Sequence, residues 1–144
     1  MKFGSFLFSE PWGSVKYVYV IIRLVIASFW LISDTPRWVA LAAGHPVSNG
    51  LVRTLFGSGL VVPMTYLFTL FETLGAIALI LGLATRLVAI WPVVEFAITG
   101  TTGVLTGSIG LAHDYAFFAG GLVLLFTGSP ALSIDSLLAK RRQK

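Results

Sequence analysis

Residues 61–83 read VVPMTYLFTLFETLGAIALILGL, an apolar stretch with one glutamate, Glu72, at its middle. As an α-helix this stretch would be about 34 Å long, enough to cross the roughly 30 Å hydrocarbon core of a bilayer. A carboxylate at that depth is costly in contact with lipid, so it normally faces protein or a water-filled cavity. The stretch therefore predicts a membrane-spanning helix whose glutamate points inward.

Three more apolar stretches of similar length flank this one, at residues 17–33, 87–106 and 109–127. Arg23 interrupts the first, Glu95 the second, and the pair His113-Asp114 lies in the opening turns of the third. The turn Ala84-Thr85-Arg86 is too short for anything but an antiparallel hairpin. We predict an all-α fold: an integral membrane four-helix bundle formed by one domain, residues 1–144.

Composition supports a lipid-facing surface. Apolar residues make up 56% of the chain, charged residues 11%, and the mean hydropathy is +0.90. A soluble domain carries about 25% charged residues, so this surface is not built for water. The net charge of +4 does not indicate nucleic-acid binding, because four of the ten basic residues form the C-terminal tail.

The rare residue types exclude several cofactors. The absence of cysteine removes disulfides, thiolate chemistry and iron–sulfur ligation. The histidines, His45 and His113, are too few to ligate two haems, and a zinc site would have to draw on carboxylates. We predict no metal, haem or flavin.

Residues 34–60 are predicted to be an external connection containing one or two short interfacial helices. Residues 129–144 are predicted to be an inner basic tail. With four spans, seven basic residues fall on the side of the termini and only Arg37 and Arg53 on the other. The positive-inside rule then places both termini in the cytoplasm.

Helical rise predicts two layers of buried charge. Counting from the nearest turn puts Arg23 roughly 10 Å and Glu95 roughly 13 Å from the inner end, but Glu72 and Asp114 roughly 21 Å. An Arg23–Glu95 pair could simply fix the helix register. The acid left over would be protonated or paired with His113, and would serve binding or proton transfer.

Two other sets of residues have competing interpretations. Threonines recur with Glu95 on one helical face, which indicates either helix packing or a polar pathway. The tryptophans are mostly interface anchors in this interpretation. The sets are Thr99, Thr102 and Thr106, and Trp12, Trp30, Trp38 and Trp91.

Three segments together resemble the DoxX/DoxD family. FETLGAIALILGLATRLVAI (71–90) resembles its glutamate-containing second helix and Gly-Leu-x-Thr-Arg turn. IIRLVIASFWLI (21–32) resembles its opening Arg-Leu segment, and LLFTGSPALSIDSLLAKR (124–141) its Gly-x-x-x-x-Ser-x-Asp ending. The chain departs from the family at 33–37, where Ser-Asp-Thr-Pro-Arg replaces the usual small residues and lysine.

The resemblance implies a multi-pass protein of a prokaryotic plasma membrane. In the DoxD branch it implies the membrane subunit of thiosulfate:quinone oxidoreductase, which makes tetrathionate, reduces quinone and works with a DoxA-like partner. The implied catalytic acids are Glu72, Glu95 and Asp114. The implied substrate and quinone contacts are Arg23, Trp30, Arg37, Arg53, Thr99, Thr102 and His113.

Two alternatives stay open at this stage. One is a non-catalytic membrane subunit that anchors a larger respiratory complex, which would fit the absence of an electron carrier. The other is a small transporter with a membrane glutamate, although the basic-residue bias argues against a dual-topology exporter. The expected partners are lipids and respiratory complex subunits, not nucleic acid, and homo-oligomer formation stays open.

Overall fold

The computed structural model describes residues 12–107, 114–129 and 131–141, with side chains at 12–16, 139 and 141 left aside. All regular structure in these ranges is helical. The helices are α1 Trp12–Ala42, α2 Gly50–Leu81, α3 Thr85–Val88, α4 Ile90–Thr106, α5 Asp114–Thr127 and α6 Ile134–Arg141.

Three of the described helical segments are long and apolar enough to cross a membrane. They are Tyr17–Ala42, Gly50–Leu81 and Thr85–Thr106, the last comprising α3 and α4. Helix α5 is equally apolar but has 14 described residues. The described residues are thus helical and include three helical segments of membrane-spanning length, as predicted, whereas the bundle of four spans stays a prediction.

The first two helices differ from their predicted bounds. Helix α1 continues through Pro36 to Ala42, and α2 begins at Gly50, so most of the predicted 34–60 connection is helical. A proline inside a helix removes one backbone hydrogen bond, and here the helix continues beyond it. Asn49 caps α2 by accepting a hydrogen bond from Leu51 N at 2.8 Å.

Gly57 divides α2 into a short first part, residues 50–56, and the long apolar part. Its φ of 71° and ψ of −179° are not helical and belong to a region used almost only by glycine. Helical hydrogen bonding resumes beyond it. The first part can therefore take a direction different from that of the span.

Helix α1 packs against α2 and α5, and α4 packs against α5. Their shared core contains Ile26, Trp30, Leu79, Phe96 and Leu124, all at most 1% exposed. The outward faces are also apolar: Ile32, Leu105 and Phe126 are exposed. A core and an outer surface that are both apolar are what a lipid-embedded fold requires.

Candidate functional site

An ion-pair network joins α1 to α2. Arg37 Nη1 lies 2.8 Å from Asp34 Oδ1 and 2.8 Å from Glu72 Oε2. Both carboxylates are buried, with side-chain exposures of 1% and 2%. Thr73 Oγ1 donates to Asp34 Oδ2 at 3.0 Å, and Trp38 Nε1 donates to Thr73 Oγ1 at 2.8 Å. The buried charges are thus paired and hydrogen-bonded, as stability requires.

The extension of α1 creates this network. Asp34 follows Trp30 by four residues and precedes Arg37 by three, so the three side chains share one helical face. That face continues the inward stripe of Arg23, Ala27 and Trp30, all buried. A helix ending at residue 33 would have left Asp34 and Arg37 in a loop.

Glu95 of α4 adds a further carboxylate to the network. Its Oε2 accepts a hydrogen bond of 3.0 Å from Nε1 of the buried Trp30. It also lies close enough to interact electrostatically with Glu72, Arg37 and Asp34, and with Asp114 of α5. Side chains from four helices therefore meet in one cluster.

A cavity of about 550 Å³ opens beside the cluster. Two phenyl rings, Phe29 and Phe96, form part of its wall and pack edge to face with centroids 5.6 Å apart. The first part of α2 contributes Gly50, Leu51 and Thr54. The polar lining consists of Ser33, Arg37, Asn49, Thr54, Glu95, Thr99, Thr102, Thr106 and Asp114.

The threonine hydroxyls of the cavity are already engaged as donors. Thr99, Thr102 and Thr106 each donate to a backbone carbonyl four residues earlier, at 3.2, 2.8 and 2.8 Å. Each hydroxyl oxygen keeps lone pairs that can accept. The wall formed by α4 therefore presents acceptors to a ligand.

Acids outnumber bases around the cavity. Four carboxylates, those of Asp34, Glu72, Glu95 and Asp114, surround the single guanidinium of Arg37 among the described residues. Arg37 already contacts two of them. A ligand that donates hydrogen bonds suits such a site better than a free anion does.

The predicted pairing of Arg23 with Glu95 is wrong. Arg23 Nη2 donates instead to Leu132 O at 3.0 Å, and its charge interacts with Asp135 near α6. The guanidinium extends toward the near end of the bundle, as long cationic side chains do in membranes. Glu72 and Glu95, which were predicted to lie in different layers, are close enough to interact electrostatically.

The other residues predicted to contact a substrate or the membrane interface do not all lie at the cavity. Arg53 is exposed on the first part of α2 and does not line the cavity, and His113 and the Trp12 side chain lie outside the described residues. Trp30 is a buried core residue rather than an interface anchor. The sequence reasoning missed Asp34 and Thr73, although the spacing of Asp34 from Trp30 and Arg37 would have placed it on a continued helix.

No protein-family model, curated protein or solved structure matches this chain.

Proposed function

We propose that the chain is the membrane subunit of a quinone-linked oxidoreductase, with a quinone headgroup bound in the cavity beside Glu95. The observation that carries the proposal is the cavity itself. It places the carboxylates of Glu95 and Asp114 and the hydroxyls of α4 next to the rings of Phe29 and Phe96. Aromatic walls combined with convergent polar groups are a recurrent feature of cofactor sites.

The proposed chemistry is proton exchange at the quinone oxygens. A quinone that gains two electrons takes up two protons and becomes a quinol. Glu95 and Asp114 are carboxyl groups that can supply or accept those protons within the cavity. A quinol would donate hydrogen bonds to the threonine oxygens, and the unengaged nitrogens of Arg37 would donate to a quinone oxygen.

The architecture proposed with this function is a bundle of four spans in a prokaryotic plasma membrane, both termini in the cytoplasm. The resemblance to DoxD suggests thiosulfate as electron donor, two of which give tetrathionate and two electrons. We assign that oxidation to a DoxA-like or other partner subunit. Two carboxylates already balance the positive charge of Arg37, so the cavity offers no uncompensated cation to a dianion such as thiosulfate.

A second candidate function is a non-catalytic subunit that stabilises a respiratory complex. The ion pairs of Arg37 favour it, because they would fix α1 against α2 whether or not a ligand binds. A buried ion pair by itself is weak evidence for function.

The substitution Glu95→Gln separates the two candidates. The glutamine oxygen still accepts from Trp30, but the side chain no longer carries a transferable proton. In the purified complex we expect quinone reduction to fall about a hundredfold or more while assembly is retained. Unchanged turnover in an assembled complex would contradict the quinone proposal and favour the second candidate.

A matched threonine pair tests the location. Thr102→Val changes the cavity wall, whereas Thr101→Val changes the neighbouring exposed threonine, which lies outside the cavity lining. We expect only Thr102→Val to raise KM for a soluble quinone analogue. Equal effects of the two substitutions would place the quinone elsewhere.

A further inference from the structure

The opposite end of the bundle holds a second polar cluster that the proposed function does not use. Both carboxylate oxygens of Asp135, at the start of α6, accept hydrogen bonds of 2.8 Å from Ala84 N and Thr85 N. Asp135 N in turn donates to Gly82 O at 3.0 Å. These bonds hold α6 against the turn between α2 and α3, where Ala84 has a left-handed φ of 47°.

The charge of Asp135 is compensated within this cluster. Two backbone N–H groups point at its carboxylate, and the buried guanidinium of Arg23 attracts it. Arg23 is 1% exposed and donates to Leu132 O on the same side. Asp135 also lines the cavity beside this turn, so a further cation at this end of the bundle meets a carboxylate that two N–H groups and Arg23 already engage.

Two such cations line a cavity of about 640 Å³ between the turn and α6. They are Arg86 and Lys140, both exposed, and neither forms a salt bridge to another described residue. The Arg86 side chain lies along Gly128, where a Cβ would come within 3.1 Å of Nε. Ser129 and Ser136 add hydroxyl groups to the lining.

The cavity also has an apolar wall open to the surroundings. Leu87 lines it and is 70% exposed. Leu87 belongs to the membrane-length segment Thr85–Thr106, so its exposed side chain would meet acyl chains. A free inorganic anion gains nothing from contact with an apolar side chain. A phospholipid instead places its headgroup beside the cations and its acyl chains against Leu87.

We propose that this cavity binds the phosphodiester headgroup of an anionic phospholipid, with Arg86 and Lys140 as its counter-charges. Basic pockets between helices at the cytoplasmic face are typical sites for such headgroups. In the proposed topology this end faces the cytoplasm. The inference goes beyond the quinone proposal and requires only that the chain lies in a membrane.

The test measures lipid binding to the full-length protein in neutral detergent by native mass spectrometry. We expect phosphatidylglycerol to bind more tightly than phosphatidylcholine. Arg86→Gln and Lys140→Gln should each weaken phosphatidylglycerol binding about fivefold, since a basic residue near an anionic surface contributes roughly 1 kcal/mol. Arg53→Gln removes one charge at a position outside this cavity and should have no effect.

Three results would overturn the proposal. They are equal binding of the two lipids, an equal loss in Arg53→Gln, or full competition by inorganic phosphate at the lipid concentration, which would indicate a soluble anion. Should Arg86→Gln fail to fold, Arg86→Lys, which keeps the charge, and Lys140→Gln decide the matter. Binding retained in the first and weakened in the second supports the proposal, and any other pattern contradicts it.

Discussion

At the scale of single residues, the partner of each buried charge decides what the site can do. The sequence identified Glu72, Glu95 and Arg23 as buried ionisable residues, because a charge inside an apolar run must be accommodated. It could not identify their partners, because rise along a helix gives depth but not the reach of a side chain across the bundle. Arg37, expected in a loop, is the cation that pairs with Glu72.

Removal of Arg37 should leave two buried carboxylates without a counter-charge. We expect Arg37→Gln to lower the free energy of unfolding by about 3 kcal/mol, the cost typical of breaking a buried pair. Adding Glu72→Gln should recover part of that loss, because the two residues are coupled. Chemical denaturation in detergent micelles measures both, with Arg53→Gln as a control expected to be neutral. A neutral Arg37→Gln would show that the network does not stabilise the fold.

Two tryptophan substitutions compare hydrogen bonds to different acceptors. Trp30→Phe removes a donor to the Glu95 carboxylate, and Trp38→Phe removes a donor to the Thr73 hydroxyl. We expect losses in unfolding free energy of about 2 kcal/mol and about 1 kcal/mol, because bonds to charged groups are stronger. The same denaturation assay ranks them, and a reversed order would argue against a charged Glu95 acceptor.

At the scale of helices, the apolar runs predicted roughly where the three long helical segments of the described residues lie, but not where they end. Helix α1 continues through Pro36, although a proline inside a helix removes a backbone hydrogen bond. Asn49 caps α2 and Gly57 breaks it. The sequence alone does not show that helix lies on both sides of that break.

Two helix-ending glycines provide a matched test of packing at the turn between α2 and α3. Gly82 and Gly107 both cap helices with left-handed φ values of 63° and 68°. Among the described residues, a Cβ at Gly107 would meet nothing within 4 Å, whereas one at Gly82 would collide with the Arg23 guanidinium and with Ser133.

Gly107→Ala should therefore lose about 1 kcal/mol of unfolding free energy, from backbone strain alone. Gly82→Ala should lose more than twice that, or fail to accumulate in membranes, because a side chain or the whole of α6 must move. Thermal unfolding of the purified variants measures the difference. Similar losses would mean that α6 is not held against the turn as described.

At the scale of the whole molecule, composition and hydropathy predicted apolar helices of membrane-spanning length, and the described residues form three such segments. The Arg37–Glu72 ion pair joins residues 35 positions apart in the chain, and no local pattern reports such a contact. The orientation in the bilayer rests on basic residues, and it can be tested because the chain has no cysteine.

Single cysteines should report opposite sides of the membrane. In intact cells we expect Ser48→Cys, in the loop between α1 and α2, to react with a membrane-impermeant maleimide. Lys140→Cys, on α6, should react only after the cells are opened. Labelling of Lys140→Cys but not of Ser48→Cys in intact cells would show that the orientation is opposite to the proposed one. Labelling of both variants in intact cells would indicate two orientations.

Helix α1 is attached to other parts of the chain at two points along its length. Arg23 ties it to the segment before α6, and Arg37 ties it to α2 about 21 Å further along. A rod held at two such points cannot slide along the membrane normal without breaking both attachments. Any change in the width of the cavity must then come from the elements that pack against α1. These are mainly the first part of α2, residues 50–56, and the pair of helices α4 and α5.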